Sequence, residues 1–217
     1  TTWSADYPGV VAERLREALG RGVISVFTPG ACANVNPTLG GPRWREGAEH
    51  IAQQALAALQ RARKVEGPIA VAALRRDLPV PRRDPGSQPA GAIERLEWGG
   101  QGGRADVFGP QLAHVASMPE TLLVPVSAAR LGPLAVATNA GELFVEYGLA
   151  IKQRSPFPHT VVAELTNDVI MYQPTRQAFE QQGYETLIGA NRVAMEGIEC
   201  LVETAVALLD ELWAASS

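Results

Sequence analysis

The spacing of apolar positions changes several times along this chain, and each change predicts an element. In residues 10–19, Val11, Leu15, Ala18 and Leu19 recur at helical spacing, and Gly20 and Gly22 close the run. Residues 23–28 form a short β-branched stretch that predicts a buried strand, and residues 29–47, rich in Gly, Pro and Asn, predict a loop. Residues 46–64 predict the first long helix, with Ile51, Ala55, Ala58, Leu59 and Ala62 on one face and Gly67-Pro68 as its stop.

Beyond that stop the period shortens. Residues 69–78 predict a strand, residues 79–91 a proline-rich excursion, and residues 92–98 a return strand. Residues 99–103 predict a flexible glycine turn without the strand-then-helix setting of a phosphate loop, and residues 110–117 a short helix. Residues 122–129 and 134–138 read as a hairpin across Arg130-Leu131-Gly132-Pro133. Glu142 is expected to open a helix to about Arg154, ended by Pro156 and Pro158. Residues 160–165 predict a strand, Asn167-Asp168 a turn, and Thr175 the cap of a helix over residues 176–181. Residues 193–213 predict a closing amphipathic helix. Strands alternating with helices predict an α/β fold, a mixed β-sheet flanked by helices.

Composition narrows the function classes. The chain has 217 residues, of which 46% are hydrophobic and 19% charged, an ordinary globular balance. A net charge of −4, with basic pairs only at Arg75-Arg76 and Arg82-Arg83, gives no reason to expect nucleic acid. No apolar run approaches the roughly 20 residues that a transmembrane helix needs. Cys32 and Cys200 permit one disulfide without arguing for it; Cys200 is expected in the core, and Cys32 sits in the Gly30-Ala31-Cys32-Ala33 turn. No CxxC or HxxxH spacing is present, so no self-contained zinc finger is expected. His50, His114 and His159 lie apart, on a helix, a short helix and a strand start.

The candidate chemistry gathers in three stretches: Gly141-Glu142-Leu143-Phe144, residues 167–172, and Gly183-Tyr184-Glu185-Thr186. They offer a carboxylate and two tyrosines twelve residues apart, Tyr172 and Tyr184. A Glu just after a strand, with Gly141 permitting a bend, can turn its carboxylate over the strand end. Read alone, Glu142 equally serves a helix N-terminus through the dipole, and both tyrosines serve as half-buried packing residues.

These stretches, in this order, resemble the neutral/alkaline non-lysosomal ceramidase family of zinc-dependent amidases. Ser4-Ala5-Asp6-Tyr7-Pro8-Gly9 is similar to the family's Ser-x-Asp-x-x-Gly segment, and Thr28-Pro29-Gly30-Ala31-Cys32-Ala33-Asn34-Val35-Asn36-Pro37 to its Gly-Asp-Val-Ser/Asn-Pro loop. Gly141-Glu142-Leu143-Phe144, residues 167–175 and Tyr184-Glu185 continue the match, and the closing helix ends where smaller bacterial members end. The resemblance implies a single domain over residues 1–217, the C-terminal half of a catalytic domain. It implies Zn2+ as cofactor, with Glu142 and Tyr172 as ligands, Tyr184 polarising the amide carbonyl, and Asn36 near the metal-bound water. The family's two zinc histidines precede any residue present here, so it implies an N-terminal chain of the same precursor as partner, supplying both. The implied substrate is an amide-bearing small molecule or lipid-like compound. Departures exist: Asn34 stands where the family usually has Asp, and neither its lipid-facing Gly/Ser-rich segments nor its immunoglobulin-like C-terminal domain is recognisable. The implied substrate class is therefore wider than ceramide.

The chain begins Thr1-Thr2-Trp3, without an initiator Met. The resemblance places Thr1 between the second zinc histidine and Ser4, where processing of a precursor into two chains is the expectation. A freed Thr1 amine can activate its own hydroxyl, so an N-terminal threonine hydrolase on the same scaffold is an alternative, as is a metal-free binding protein.

Overall fold

Four apolar runs pair into one mixed sheet. The computed structural model describes residues 3–38, 41–93 and 105–215. β1 (Val71–Pro81), β2 (Thr121–Leu131) and β3 (Leu134–Thr138) are antiparallel neighbours, and β5 (His159–Ala163) joins β3 in parallel, giving the order β1-β2-β3-β5. The expected hairpin forms with Leu131 opposite Leu134, and Gly132 takes the φ of +58° that its tight turn requires. A second, two-stranded parallel sheet pairs β4 (Glu142–Leu143) with β6 (Tyr172–Gln173). The α/β fold with a mixed, helix-flanked sheet is thus the one that the hydrophobic pattern predicts.

One face of the large sheet is sealed by α6 (Met195–Ala214), whose Ile198, Leu201, Val202, Ala205, Leu208, Leu209 and Leu212 are buried. They form one core cluster with Val124, Val126, Ala128, Ala135 and Ala137. Each fully buried Leu, Ile or Val contributes about 1.5–3 kcal/mol of transfer free energy. The alanines keep the sheet surface low enough for the helix to lie close. α4 (Val145–Arg154) carries the chain between the parallel strands β3 and β5, with Ile151 buried in the same cluster.

The chain divides into two compact units: Thr1–Thr28 with Asn36–Pro68, and Pro29–Val35 with Ile69–Ser217. The first is a pair of helices, α1 (Asp6–Leu19) and α2 (Trp44–Arg61), in which α1 buries no residue and α2 buries only Ala48 and Ala52. Arg14 pairs with Glu49 at 2.6 Å across the two helices, an exposed ion pair that stabilises little. The second unit holds both sheets, α3 (Ala105–Ser117), α4, α5 (Arg176–Gln181) and α6.

Several boundaries and burial states differ from expectation. Residues 23–28 form no strand, and Ile24, Val26 and Phe27 are exposed at 86%, 82% and 53%. β-Branched composition supplies propensity but no neighbouring strand to complete the hydrogen bonds. β1 runs three residues past the predicted end because it is an edge strand, where the missing N–H groups of Pro79 and Pro81 leave no ladder bond unmade. α3 begins five residues earlier than predicted, with Pro110 tolerated inside it. The buried stripe of α2 runs through Ala48 and Ala52, leaving Ile51 and Leu59 exposed. Cys200 lies on the open face of α6 rather than in the core, and both cysteines are free. The predicted return strand and glycine turn fall, from residue 94 to 103, outside the described residues.

Candidate active site

Glu142 does not open a helix. It lies on β4, directly opposite Tyr172 of β6 in parallel register, and α4 begins only at Val145. The cause is the path of the preceding loop. Thr166 N donates to the Asn139 carbonyl at 3.0 Å and Ile170 N to the Ala140 carbonyl at 3.1 Å. These bonds wrap residues 164–171 around the 139–141 turn. Leu165, Asn167 and Met171 take left-handed φ values of 52°, 70° and 67° to make the wrap. Glu142 N then donates to the Met171 carbonyl at 3.0 Å, and Phe144 N to the Gln173 carbonyl at 3.3 Å.

Gly141 serves this arrangement by its size. A Cβ there would stand 2.4 Å from the Met171 carbonyl oxygen and 2.5 Å from Gln173 Nε2. Beneath it, the buried Asn139 and Gln173 exchange side-chain hydrogen bonds of 3.0 and 2.7 Å, and Asn139 Oδ1 also accepts from Gly141 N at 2.8 Å. This amide pair fixes the end of β3 against β6.

Tyr184 opens a 3-10 turn, Tyr184–Thr186, in which the Thr186 hydroxyl donates to the Gly183 carbonyl at 2.7 Å. Its ring meets that of Tyr172 edge-on, with centroids 5.6 Å apart, and packs against Phe108 of α3 at 5.9 Å. Glu142, Tyr172 and Tyr184 are thereby brought together from three separate stretches of chain. Burial first, then hydrogen bonding to Glu142 and its charge, push the Tyr172 hydroxyl well above the ordinary phenol range. Burial, followed by the charges of Glu142 and Glu185, pushes Tyr184 up as well. Both hydroxyls therefore keep their protons at neutral pH, and that of Tyr172 donates to Glu142.

On the other side of β4, the buried Glu164 binds the Pro29–Val35 loop to the strand. Its carboxylate accepts from Leu143 N at 2.9 Å and from the Cys32 thiol at 3.1 Å. Burial, then the Glu164 hydrogen bond, raise the Cys32 thiol to about 11, so it stays protonated and is no ready nucleophile. Asn34 caps α4 from a distance: its Oδ1 accepts from Val145 N at 2.8 Å and its Nδ2 donates to Glu146 at 2.9 Å. An Asp could make the first bond but not the second, which gives the departure at position 34 a structural use.

Asn36 is exposed and belongs to the helical unit. Thr1 lies outside the described residues. His50, His114 and His159 are all exposed. The hydrophobic pattern singled out none of Glu164, Asn139, Gln173, Arg83 or Asn191. An Asn-Ala-Gly turn directly before a Glu was the only signal that could have pointed to Asn139.

Among the described residues, no three His, Cys, Asp or Glu side chains cluster as metal ligands. Glu142 and Tyr172 offer two oxygen donors on adjacent strands. That is donor chemistry zinc accepts, and half of the four-coordinate shell it usually takes.

Fold and site together define a mixed-sheet α/β domain that presents a carboxylate and two phenols at the end of a short parallel pair. No family model and no curated protein matches the sequence. Solved structures do match in fold. The crystal structure of neutral ceramidase from Pseudomonas aeruginosa superposes with a TM-score of 0.58 over 96% of this chain and 41% of its own, at 19% identity. A ceramidase complexed with C2 superposes with a TM-score of 0.63 over 98% of this chain and 43% of its own, at 17% identity. The chain thus has the fold of part of neutral ceramidase, and spans less than half the length of the structures it matches.

Proposed function

We propose that this chain is one part of a zinc-dependent amide hydrolase, with Glu142 and Tyr172 as metal ligands and Tyr184 as the donor to the developing oxyanion. The observation that carries this reading is the direct register of Glu142 with Tyr172, with the Tyr184 ring 5.6 Å from that of Tyr172, on a fold shared with neutral ceramidase. Zinc, when bound, supplies a Lewis acid and an activated water. Two further ligands come from outside the described residues, and the upstream part of the same precursor is the proposed source of two histidines.

The roles of the chain's own residues follow from their surroundings. The backbone of Glu142 is locked by Gly141, and its carboxylate is tied to the Tyr172 hydroxyl by a hydrogen bond. Tyr172 sits opposite it on the paired strand, so both side chains start from one register position. Tyr184, protonated at neutral pH, offers its Oη–H to the oxygen that gains charge when an amide carbonyl becomes tetrahedral. Its edge contacts with Tyr172 and Phe108 fix the ring plane, so the donor needs no reorganisation. The proposed substrate is a linear amide, small or lipid-like.

The test is elemental analysis of natively isolated protein with any bound companion retained, followed by kinetics on an N-acyl amide. About one zinc per complex is expected, lost in Glu142→Ala. Tyr184→Phe should retain the metal while kcat falls by roughly 10²–10³-fold. Full activity in metal-free protein overturns the reading.

A further inference from the structure

We propose that Arg83 is the positioning residue of this site: its guanidinium ties the strand carrying Tyr172 and the turn carrying Tyr184 into one rigid frame. This rests on the amide-hydrolase reading for its consequence, though not for its geometry. Arg83 lies just past the end of β1, and its backbone N–H donates to the Arg192 carbonyl at 2.8 Å while Arg82 bridges Val193. Its side chain therefore points from a fixed strand extension rather than a free loop.

From there one terminal nitrogen of Arg83 donates to two acceptors. One is the carbonyl of Thr186, the last residue of the Tyr184 turn; the other is Asn191 Oδ1 at 3.2 Å. Asn191 is fully buried and passes the restraint on, since its Nδ2 donates to the Tyr172 carbonyl at 2.8 Å. Tyr172 N in turn donates to the Ala190 carbonyl at 2.9 Å, and Asn191 N to the Leu187 carbonyl at 2.8 Å. Both tyrosines are thus held, through main-chain atoms, by the same side chain. The guanidinium stacks over Phe179 at 4.8 Å. Among the described residues no carboxylate pairs with it, and burial alone lowers it to about 10.

With no described carboxylate beside it, the half-buried guanidinium is held by its two hydrogen bonds and the ring face, and both acceptors belong to the frame of the tyrosines. Arg holds this pose with a planar group that stacks on the ring while it donates, which a lysine ammonium cannot reproduce. The site needs such a brace because β6 is two residues long and the Tyr184 turn three, too short to be rigid alone. Positioning errors near 1 Å can cost about 10²-fold in rate.

The experiment labels the protein with 3-fluorotyrosine. This sequence has four tyrosines, at 7, 147, 172 and 184, so it contributes four fluorine resonances, assigned with single Phe variants. In folded Arg83→Met, the Tyr172 and Tyr184 resonances should shift and broaden while those of Tyr7 and Tyr147 stay in place. On an N-acyl amide, kcat should fall roughly 10- to 100-fold with KM little changed, and Arg83→Lys should recover part of both signals. Unchanged Tyr172 and Tyr184 resonances in folded Arg83→Met overturn the proposal. So does unchanged kcat in that variant when Tyr184→Phe lowers it. Should Arg83→Met fail to fold, Arg83→Gln, which lacks the guanidinium's forked donors, decides by the same readouts. If Tyr184→Phe itself leaves turnover intact, the hydrolase reading falls, and the fluorine spectra alone decide the role of Arg83.

Discussion

A Cβ at position 141 would stand 2.4 Å from the Met171 carbonyl, and backbone cannot step aside as a side-chain end can. Gly141→Ala is therefore expected to push β6 from β4, at a cost of about 1–3 kcal/mol, and to lower activity with it. Thermal denaturation together with kinetics checks this; an unchanged Tm would show that the strands have room. Glu164 makes a pH argument at the same scale. Burial first raises its carboxyl above the usual range, outweighing its hydrogen bonds to Cys32 and Leu143 N. The folded chain thus holds the proton to higher pH than the unfolded chain. The stability this contributes is fully present below the unfolded pKa and is lost as pH rises through the folded value. Glu164→Gln keeps an acceptor for Leu143 N–H but does not ionise. Its stability relative to the parent chain should rise as pH climbs from the unfolded pKa through the raised folded one, measured by urea unfolding. A difference that stays constant over that range would contradict the assignment.

At the scale of elements, the site depends on two strands that have two residues each. Such strands have no independent stability, and what holds them is the buried Asn139–Gln173 pair together with the wrap of residues 164–171. Asn139→Ala strands the Gln173 amide in a dry setting and removes the acceptor for Gly141 N. A loss of about 1–3 kcal/mol is expected, with turnover falling further than stability alone explains. Chemical denaturation and steady-state kinetics on the same preparation separate the two effects. The helix expected at Glu142 shows why this was hard to foresee. Gly-Glu-Leu-Phe before an amphipathic run fits a helix start, and the pairing that displaces it comes from Tyr172 and Gln173, on a segment beyond α4 and β5.

Across the whole molecule, stability is divided unevenly. The sheet unit buries a continuous cluster beneath α6, whereas the α1–α2 unit buries two alanines and no residue of α1. Native-state hydrogen exchange should show amides of α1 and α2 opening at much lower free energy than those of β2 and α6. Equal protection in the two units would refute this. At this scale too, the chain spans 41–43% of the structures it matches in fold.

The sequence by itself determined what is local. The Leu131–Leu134 hairpin, the Thr175 cap of α5 and the long stripe of α6 follow from period, turn chemistry and capping, all of which act over a few residues. The candidate residues Glu142, Tyr172 and Tyr184 were also legible, through the order of their motifs. Only the tertiary structure decided what depends on distant partners. It left residues 23–28 without a ladder, turned Cys200 and Ile51 outward, and set Glu142 opposite Tyr172 on a strand. It also recruited Arg83, Asn191 and Glu164, whose roles lie in bonds to residues 19 to 132 positions away. Hydrophobic period reports which side of an element is apolar. It carries no information about which remote carbonyl or carboxylate will meet it, and the frame of this site is made of those meetings.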